Sequence, residues 1–342
     1  MPDEIGVLVN FPLESEYVEA IEAVDLRVRV LRVYEPKGEG TAASDEAGDA
    51  WRQVTGDELD ALLARAQIYF GFRFPVEWLD RSPRLKWAQL SSAGSDHMLR
   101  AGLFDKRPDL LLTTASGVHE IPISEHIIAM ILHFSRGIDI AVRNQALHRW
   151  ERYSPREANG ASVCMVGYGP IARRAAILCK SLGMTVSAVR ASLNEQMPTD
   201  GVVERFYPVH DLNSVLAESD YVVIAAPRTP QSEGMIGKEQ FAVMKPGAVL
   251  INISRGALVD QPTMIEALQQ GRLGGAGLDV VEPEPLPEDS PLWDMSHVLI
   301  TPHVSGSNPN YNKRVTELFT DNLARYLKGE PLKNSVEKER GY

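Results

Sequence analysis

The stretch Val163-Cys164-Met165-Val166-Gly167-Tyr168-Gly169-Pro170-Ile171-Ala172 decides the fold. Its four apolar residues have the length and composition of a buried parallel strand. They run into a G-x-G-x-x-A turn, after which Ile171, Ala175, Ala176, Ile177 and Leu178 recur at helical spacing until Gly183 stops the helix. A second strand, Met184 to Val189, completes a βαβ unit. Gly167 permits the tight turn, Gly169 lets a pyrophosphate approach the backbone, and Ala172 lets the helix pack closely on the strand. The helix N-terminus offers free N–H groups and a positive dipole end to phosphates. Gly167, Tyr168, Gly169, Pro170 and Ile171 are therefore candidate dinucleotide contacts. A glycine turn with no ligand is the plain alternative, and its position between two strands weighs against it.

The end of the second strand bears on which dinucleotide binds. An acid about 20 residues past the turn holds the ribose hydroxyls of NAD. This chain has Arg190 there, followed by Ala191 and Ser192. A planar, multi-donor cation suits the 2′-phosphate of NADP, which an acid would repel, so Arg190 and Ser192 join the candidate cofactor residues. The alternative is a solvated surface arginine.

Working outward, 342 residues at 44% hydrophobic and 24% charged make a globular chain with room for two domains. The two cysteines, Cys164 and Cys179, read as small buried hydrophobes in a reducing compartment, with no disulfide framework. No apolar run reaches membrane-spanning length, and residues 1–9 lack the features of a signal peptide, so a cytoplasmic protein is expected. The net charge of −11 argues against a nucleic-acid partner.

Before the turn, strands at 5–9, 26–33, 68–70, 85–90 and 110–114 alternate with helices at 13–23 and 57–66, the pattern of a small flavodoxin-like sheet. Residues 35–50 read as a loop. The small residues Ser91 to Asp96 after the fourth strand suit either a ligand-binding turn or an ordinary strand-to-helix turn. A long helix is expected from Ile121 to about Leu147. His119, His126 and His133 recur along it every seven residues, which separates neighbours by roughly 10 Å and excludes a shared metal ion. They read as a polar stripe on a packing face, such as one between subunits, without a catalytic role. After the turn, strands at 221–226, 249–253, 277–281 and 298–301 and their helices continue a doubly wound domain. Ala226, Pro227 and Ile253 at these strand ends complete the candidate cofactor contacts.

Arg255, Glu284 and His303 stand at or just past the carboxyl ends of successive strands, where a doubly wound sheet opens its ligand crevice. Their chemistry is complementary for reducing a 2-keto acid. Arg255 can grip carboxylate and keto oxygen as a rigid fork. His303 can donate the proton, and Glu284 can orient the imidazole and favour its charged form.

The run Met244 to Gly256 followed by Leu258, Val259 and Asp260, then Gly277 to Val281 with Glu282, Pro283, Glu284 and Pro285, then Thr301, Pro302 and His303, closely resembles the signature of the D-isomer-specific 2-hydroxyacid dehydrogenases. The resemblance extends from the Ser92-Ala93-Gly94 turn to Arg340, Gly341 and Tyr342. It implies that Arg255, Glu284 and His303 are the catalytic trio, that backbone groups at Ala93 and Gly94 help Arg255 hold the substrate carboxylate, and that Asp279 meets the nicotinamide amide. It also implies a Rossmann cofactor domain, 118–301, inserted into a smaller flavodoxin-like α/β substrate domain formed by 1–117 and 302–342. Homodimers would form through the inserted domain. The implied reaction moves a hydride from NAD(P)H, with NADPH preferred, to a 2-keto acid, the trio meeting over the nicotinamide in a cleft between the two lobes. The alternatives are a glyoxylate/hydroxypyruvate reductase or phosphoglycerate-dehydrogenase-like relative and, in another class, a corepressor-like protein that senses the bound dinucleotide.

Overall fold

The computed structural model describes residues 4–33, 53–191 and 201–338. The expected loop at 35–50, Ser192, and the terminal Arg340, Gly341 and Tyr342 lie outside them. The chain divides into two units, one formed by residues 1–118 with 308–342 and the other by His119–Ser307.

In the first unit, strands β1 (Ile5–Asn10), β2 (Val28–Arg32), β3 (Ala66–Gly71), β4 (Trp87–Leu90) and β5 (Leu111–Thr113) form a parallel sheet in the order β2-β1-β3-β4-β5, the flavodoxin-like arrangement. The C-terminal helix Tyr311–Lys328 packs on it, with Phe319 stacked on Phe70 at 4.1 Å and on Trp87 at 5.4 Å. A buried polar chain fastens the two ends of the polypeptide. Trp87 Nε1 donates to Thr113 Oγ1 (2.8 Å), Thr113 Oγ1 to Gln89 Oε1 (2.8 Å), and Asn322 Nδ2 to the same Gln89 oxygen (2.9 Å). Asn322 also pairs with the Lys333 backbone in both directions, so none of these buried groups lacks a partner.

The second unit holds β6 (Ser162–Val166), β7 (Thr185–Arg190), β8 (Arg205–Pro208), β9 (Tyr221–Ile224), β10 (Ala248–Asn252), β11 (Leu273–Leu278) and β12 (Val298–Ile300). Their order, β12-β11-β10-β9-β6-β7-β8, reverses direction between β6 and β9, as in a doubly wound sheet. Alternation along β9 shows both faces covered. Tyr221 and Val223 pack with helices Glu120–Arg136 and Pro170–Ser181, while Val222 and Ile224 pack against Leu216, Phe241 and Leu268 on the opposite side.

Several boundaries differ from the sequence expectations. The long helix breaks at Gly137, which takes the left-handed conformation (φ 63°), and a second helix, Ile138–Ala146, follows. Leu273 to Leu278, not Gly277 to Val281, forms β11, because Gly274, Gly275 and Gly277 hide the strand pattern. A Cβ on Gly275 would stand 2.8 Å from the Phe134 ring and 2.9 Å from the His297 carbonyl oxygen, so close packing requires glycine there. The short strand β8 had no sequence signal. The segment 302–307, expected with the first unit, belongs to the second. Among the aromatic residues, Phe70 and Phe74 belong to the core, while Phe72 and Tyr153 are exposed. Among the described residues no helix is long and apolar enough to cross a membrane.

Candidate active site

The carboxyl ends of β6, β9 and β10 converge on the glycine turn. Gly167 has φ +93°, and a Cβ there would lie 2.5 Å from Ala226 N and Cα, so only glycine fits. Ser254 Oγ donates to the Ala226 carbonyl, and Ile253 N–H to the Ile224 carbonyl (3.4 Å), joining the three strand ends. Ala172 is fully buried under the sheet. Gly169 is different. It caps the 170–181 helix at φ −105°, and among the described residues, its chain neighbours and its own helix backbone aside, no atom lies within 4 Å of the place its Cβ would occupy. Neither backbone conformation nor packing requires glycine at that position. The space in front of an uncapped helix N-terminus that begins with Pro170 suits a pyrophosphate, so the residues present fit a dinucleotide. Tyr168 packs edge-on to Phe206 at 5.1 Å. Arg190, partly buried, closes β7 beside Pro208 of β8. Ala93 and Gly94, in the other unit, follow β4, where Ser92 Oγ donates to the Gly94 carbonyl (2.8 Å).

Beyond β10, β11 and β12 stand Arg255, Glu284 and His303. His303 Nδ1 lies 2.9 Å from Glu284 Oε2, both side chains being about half exposed (49% and 39%). Their pairing shifts both groups. The hydrogen bond and charge of Glu284 hold the His303 imidazole above its ordinary value of 6.5, against burial and the Arg255 charge. Burial works to raise the Glu284 carboxyl, but His303, the Val281 N–H (3.3 Å) and Arg255 outweigh it and leave it low. Arg255 thus acts on both partners through its charge. Its guanidinium donates back to the Ser254 carbonyl at 2.8 Å.

Two residues missed from the sequence bring the Arg255 and Glu284 loops together. A Cβ on Gly256 would stand 2.1 Å from Val281 C and O, so the two backbones touch. Gln261 exchanges two hydrogen bonds with the Glu282 backbone, donating to its carbonyl (2.8 Å) and accepting from its N–H (3.1 Å). The glycine after Arg255 is the only local signal for the first; nothing nearby points to the second.

The Asp279 side chain is 0% exposed. Oδ1 accepts from Thr301 Oγ1 (2.6 Å) and the Val304 N–H (2.9 Å), and Oδ2 from the Ser305 N–H (3.1 Å). The Asp279 carbonyl accepts from the His303 N–H at 2.9 Å. These bonds hold His303 at φ 53°, a left-handed conformation that a non-glycine residue keeps only when its surroundings impose it. They also explain why 302–307 stays with the second unit. Two of the three histidines touch the same loop of this unit, His126 at Thr301 and His119 at the Gly306 carbonyl (3.3 Å). His133 stacks edge-on to Phe134, and burial lowers its pKa.

The family model "D-isomer specific 2-hydroxyacid dehydrogenase, NAD binding domain" matches residues 128–305. The chain is 32% identical over 333 residues to the D-3-phosphoglycerate dehydrogenase of Archaeoglobus fulgidus, covering 96% of this chain and 59% of that longer enzyme. It is also 32% identical over 308 residues to the glyoxylate/hydroxypyruvate reductase B of Pectobacterium carotovorum, covering 83% of this chain and 92% of that one. Among solved structures, a D-isomer specific 2-hydroxyacid dehydrogenase from Xanthobacter autotrophicus in complex with NADPH and MES superposes with TM-score 0.80 at 28% identity, over 99% of this chain and 100% of that one. The NADPH-dependent glyoxylate/hydroxypyruvate reductase of Sinorhizobium meliloti, in complex with NADP and sulfate, gives TM-score 0.77 at 27% identity with the same coverage. With its fold, its strand-end residues and these matches in agreement, the chain belongs to the D-isomer specific 2-hydroxyacid dehydrogenase family.

Proposed function

We propose that the protein reduces a 2-keto acid to a D-2-hydroxy acid, with Arg255, Glu284 and His303 as its catalytic residues. The observation that carries this is the 2.9 Å His303–Glu284 pair, which lies within the electrostatic reach of Arg255. Glu284 takes Nδ1 and leaves Nε2 for the substrate oxygen. The pair raises the imidazole pKa and so favours the charged form of His303, the form that can deliver a proton to the oxygen as negative charge develops. The Arg255 guanidinium binds the carboxylate and draws charge onto the same oxygen. The dinucleotide, when bound, supplies the hydride. The uncapped turn at Gly169 and the first turn of the 170–181 helix would hold its pyrophosphate.

NADPH is the preferred donor on this reading, supported by Arg190 at the end of β7 in place of an acid and by the NADPH and NADP complexes of the two structural relatives. The substrate lies in the range of the relatives' substrates: glyoxylate, hydroxypyruvate or a phosphorylated analogue. The working form is a homodimer in the cytoplasm. The 138–146 helix has no buried residue, and Val142 (60% exposed), Leu147 (57%) and Trp150 (98%) give a second copy an apolar face to cover. The two buried free cysteines suit a reducing compartment. The test is NADPH and NADH oxidation with a panel of 2-keto acids, for wild type and Arg190→Asp. Arg190→Asp should weaken use of NADPH far more than of NADH. Equal loss removes the cofactor assignment, and no turnover with any acid despite tight NADPH binding removes the enzymatic one.

A further inference from the structure

Within the same site, and resting on the reading just given, we infer that His126 and Thr301 are positioning residues for the proton donor. Thr301 Oγ1 stands between two partners, His126 Nε2 at 3.1 Å and Asp279 Oδ1 at 2.6 Å. A hydroxyl has one proton, and the acceptor-only carboxylate takes it, so the Thr301 oxygen must accept from His126. This fixes the Nε2–H form of the His126 ring. The His126 nitrogen lies 4.0 Å from the carboxylate itself, so it acts on Asp279 through the hydroxyl.

Asp279 passes this order on to the backbone around His303. Its carboxylate receives the N–H groups of Val304 and Ser305, and its carbonyl receives that of His303. The loop therefore depends on a carboxylate aimed at two successive N–H groups, and the aim is set by the 120–136 helix, 175 residues earlier in the chain than Thr301. If the hydroxyl is lost, the carboxylate can turn, the left-handed turn at His303 loses its support, and the imidazole drifts from Glu284. The charged groups that face His303 are Glu284, Arg255 and Asp279. Since Glu284 is the largest influence raising its pKa, loosening that pair must lower it toward 6.5.

The experiment compares Thr301→Val with Thr301→Ser, and His126→Phe with His126→Gln, each pair removing or keeping the polar group at nearly constant volume. Steady-state kinetics with NADPH and glyoxylate or hydroxypyruvate are read with the pH profile, and the His303 imidazole is titrated directly by NMR. In Thr301→Val and His126→Phe, kcat should fall about tenfold or more with NADPH affinity unchanged, while the Ser and Gln variants stay within about threefold of wild type. The His303 midpoint should move to lower pH in the first two alone. A wild-type midpoint and kcat in a folded Thr301→Val or His126→Phe protein overturns the inference, as does a loss confined to melting temperature. Should Thr301→Val not fold, His126→Phe decides. If wild type reduces no keto acid, the proposed function fails, and the NMR midpoints still decide the positioning role.

Discussion

The segment after β11 carries two carboxylates five residues apart that do opposite kinds of work. Asp279 is sealed from solvent and bonded to main-chain N–H groups and a hydroxyl, none of which titrates near neutral pH. Glu284 remains 39% exposed and faces an imidazole whose proton it can hold or release. The first carboxylate builds the loop; the second tunes a reactive group on it. Both are carboxylates that follow the same strand. Burial and the chemistry of the partner separate them, because a carboxylate shifts reactivity only where its partner can change charge.

The sharpest way to break this comparison is to remove the group that Glu284 tunes. His303→Ala should lower kcat by about 10²-fold or more while NADPH affinity, measured by fluorescence titration, stays nearly constant. Retained turnover would move the proton donor elsewhere. Glu284→Gln should cost about tenfold and leave the fold intact. Reduction needs protonated His303, so its rate is full below the imidazole pKa and is lost as pH rises through it. Without the glutamate that falling limb should shift to lower pH, and an unmoved limb would contradict the pairing. Asp279→Ala should lower stability by about 1–3 kcal/mol by denaturant titration, because it leaves buried donors without acceptors, and should lower kcat at least as far as Thr301→Val does. Glu282 stands between the two, 54% exposed and 3.8 Å from Arg228. Glu282→Ala should change stability by less than about 1 kcal/mol and leave the pH profile alone.

These contrasts mark how far the sequence could be read. The βαβ turn was legible because Gly167 and Ala172 answer local steric demands and Gly169 leaves room for a ligand, and Arg255, Glu284 and His303 were legible because strand ends can be located by pattern. The start of β11 was not, since Leu273-Gly274-Gly275-Ala276-Gly277 has almost no side chains to alternate. The break at Gly137, inside the helix expected from Ile121 to about Leu147, was not read; that glycine takes the left-handed conformation, with the Tyr153 ring 2.7 Å from where a Cβ would be. Asp279 was assigned to the nicotinamide through the family resemblance, and nothing in the sequence pointed to its part in the loop. Its partners are backbone groups 25 and 26 residues away, and an N–H looks the same in every residue. The helical histidines were set aside for the same reason, since heptad spacing describes a stripe and says nothing about what lies opposite it.

The glycines of β11 also fix a distance. The 120–136 helix rests on that strand through Met130 and Phe134, which occupy the room that side chains at Gly277 and Gly275 would fill. His126 projects from the same helix, one turn before Met130, and meets Thr301 at hydrogen-bond range. A methyl group added at Gly275 would act as a shim, lifting the helix from the sheet and pulling a donor away from a hydroxyl several residues off. If His126 positions the proton donor, the rate would depend on a spacer of zero thickness in the floor of the fold, at a position that touches none of the reacting groups.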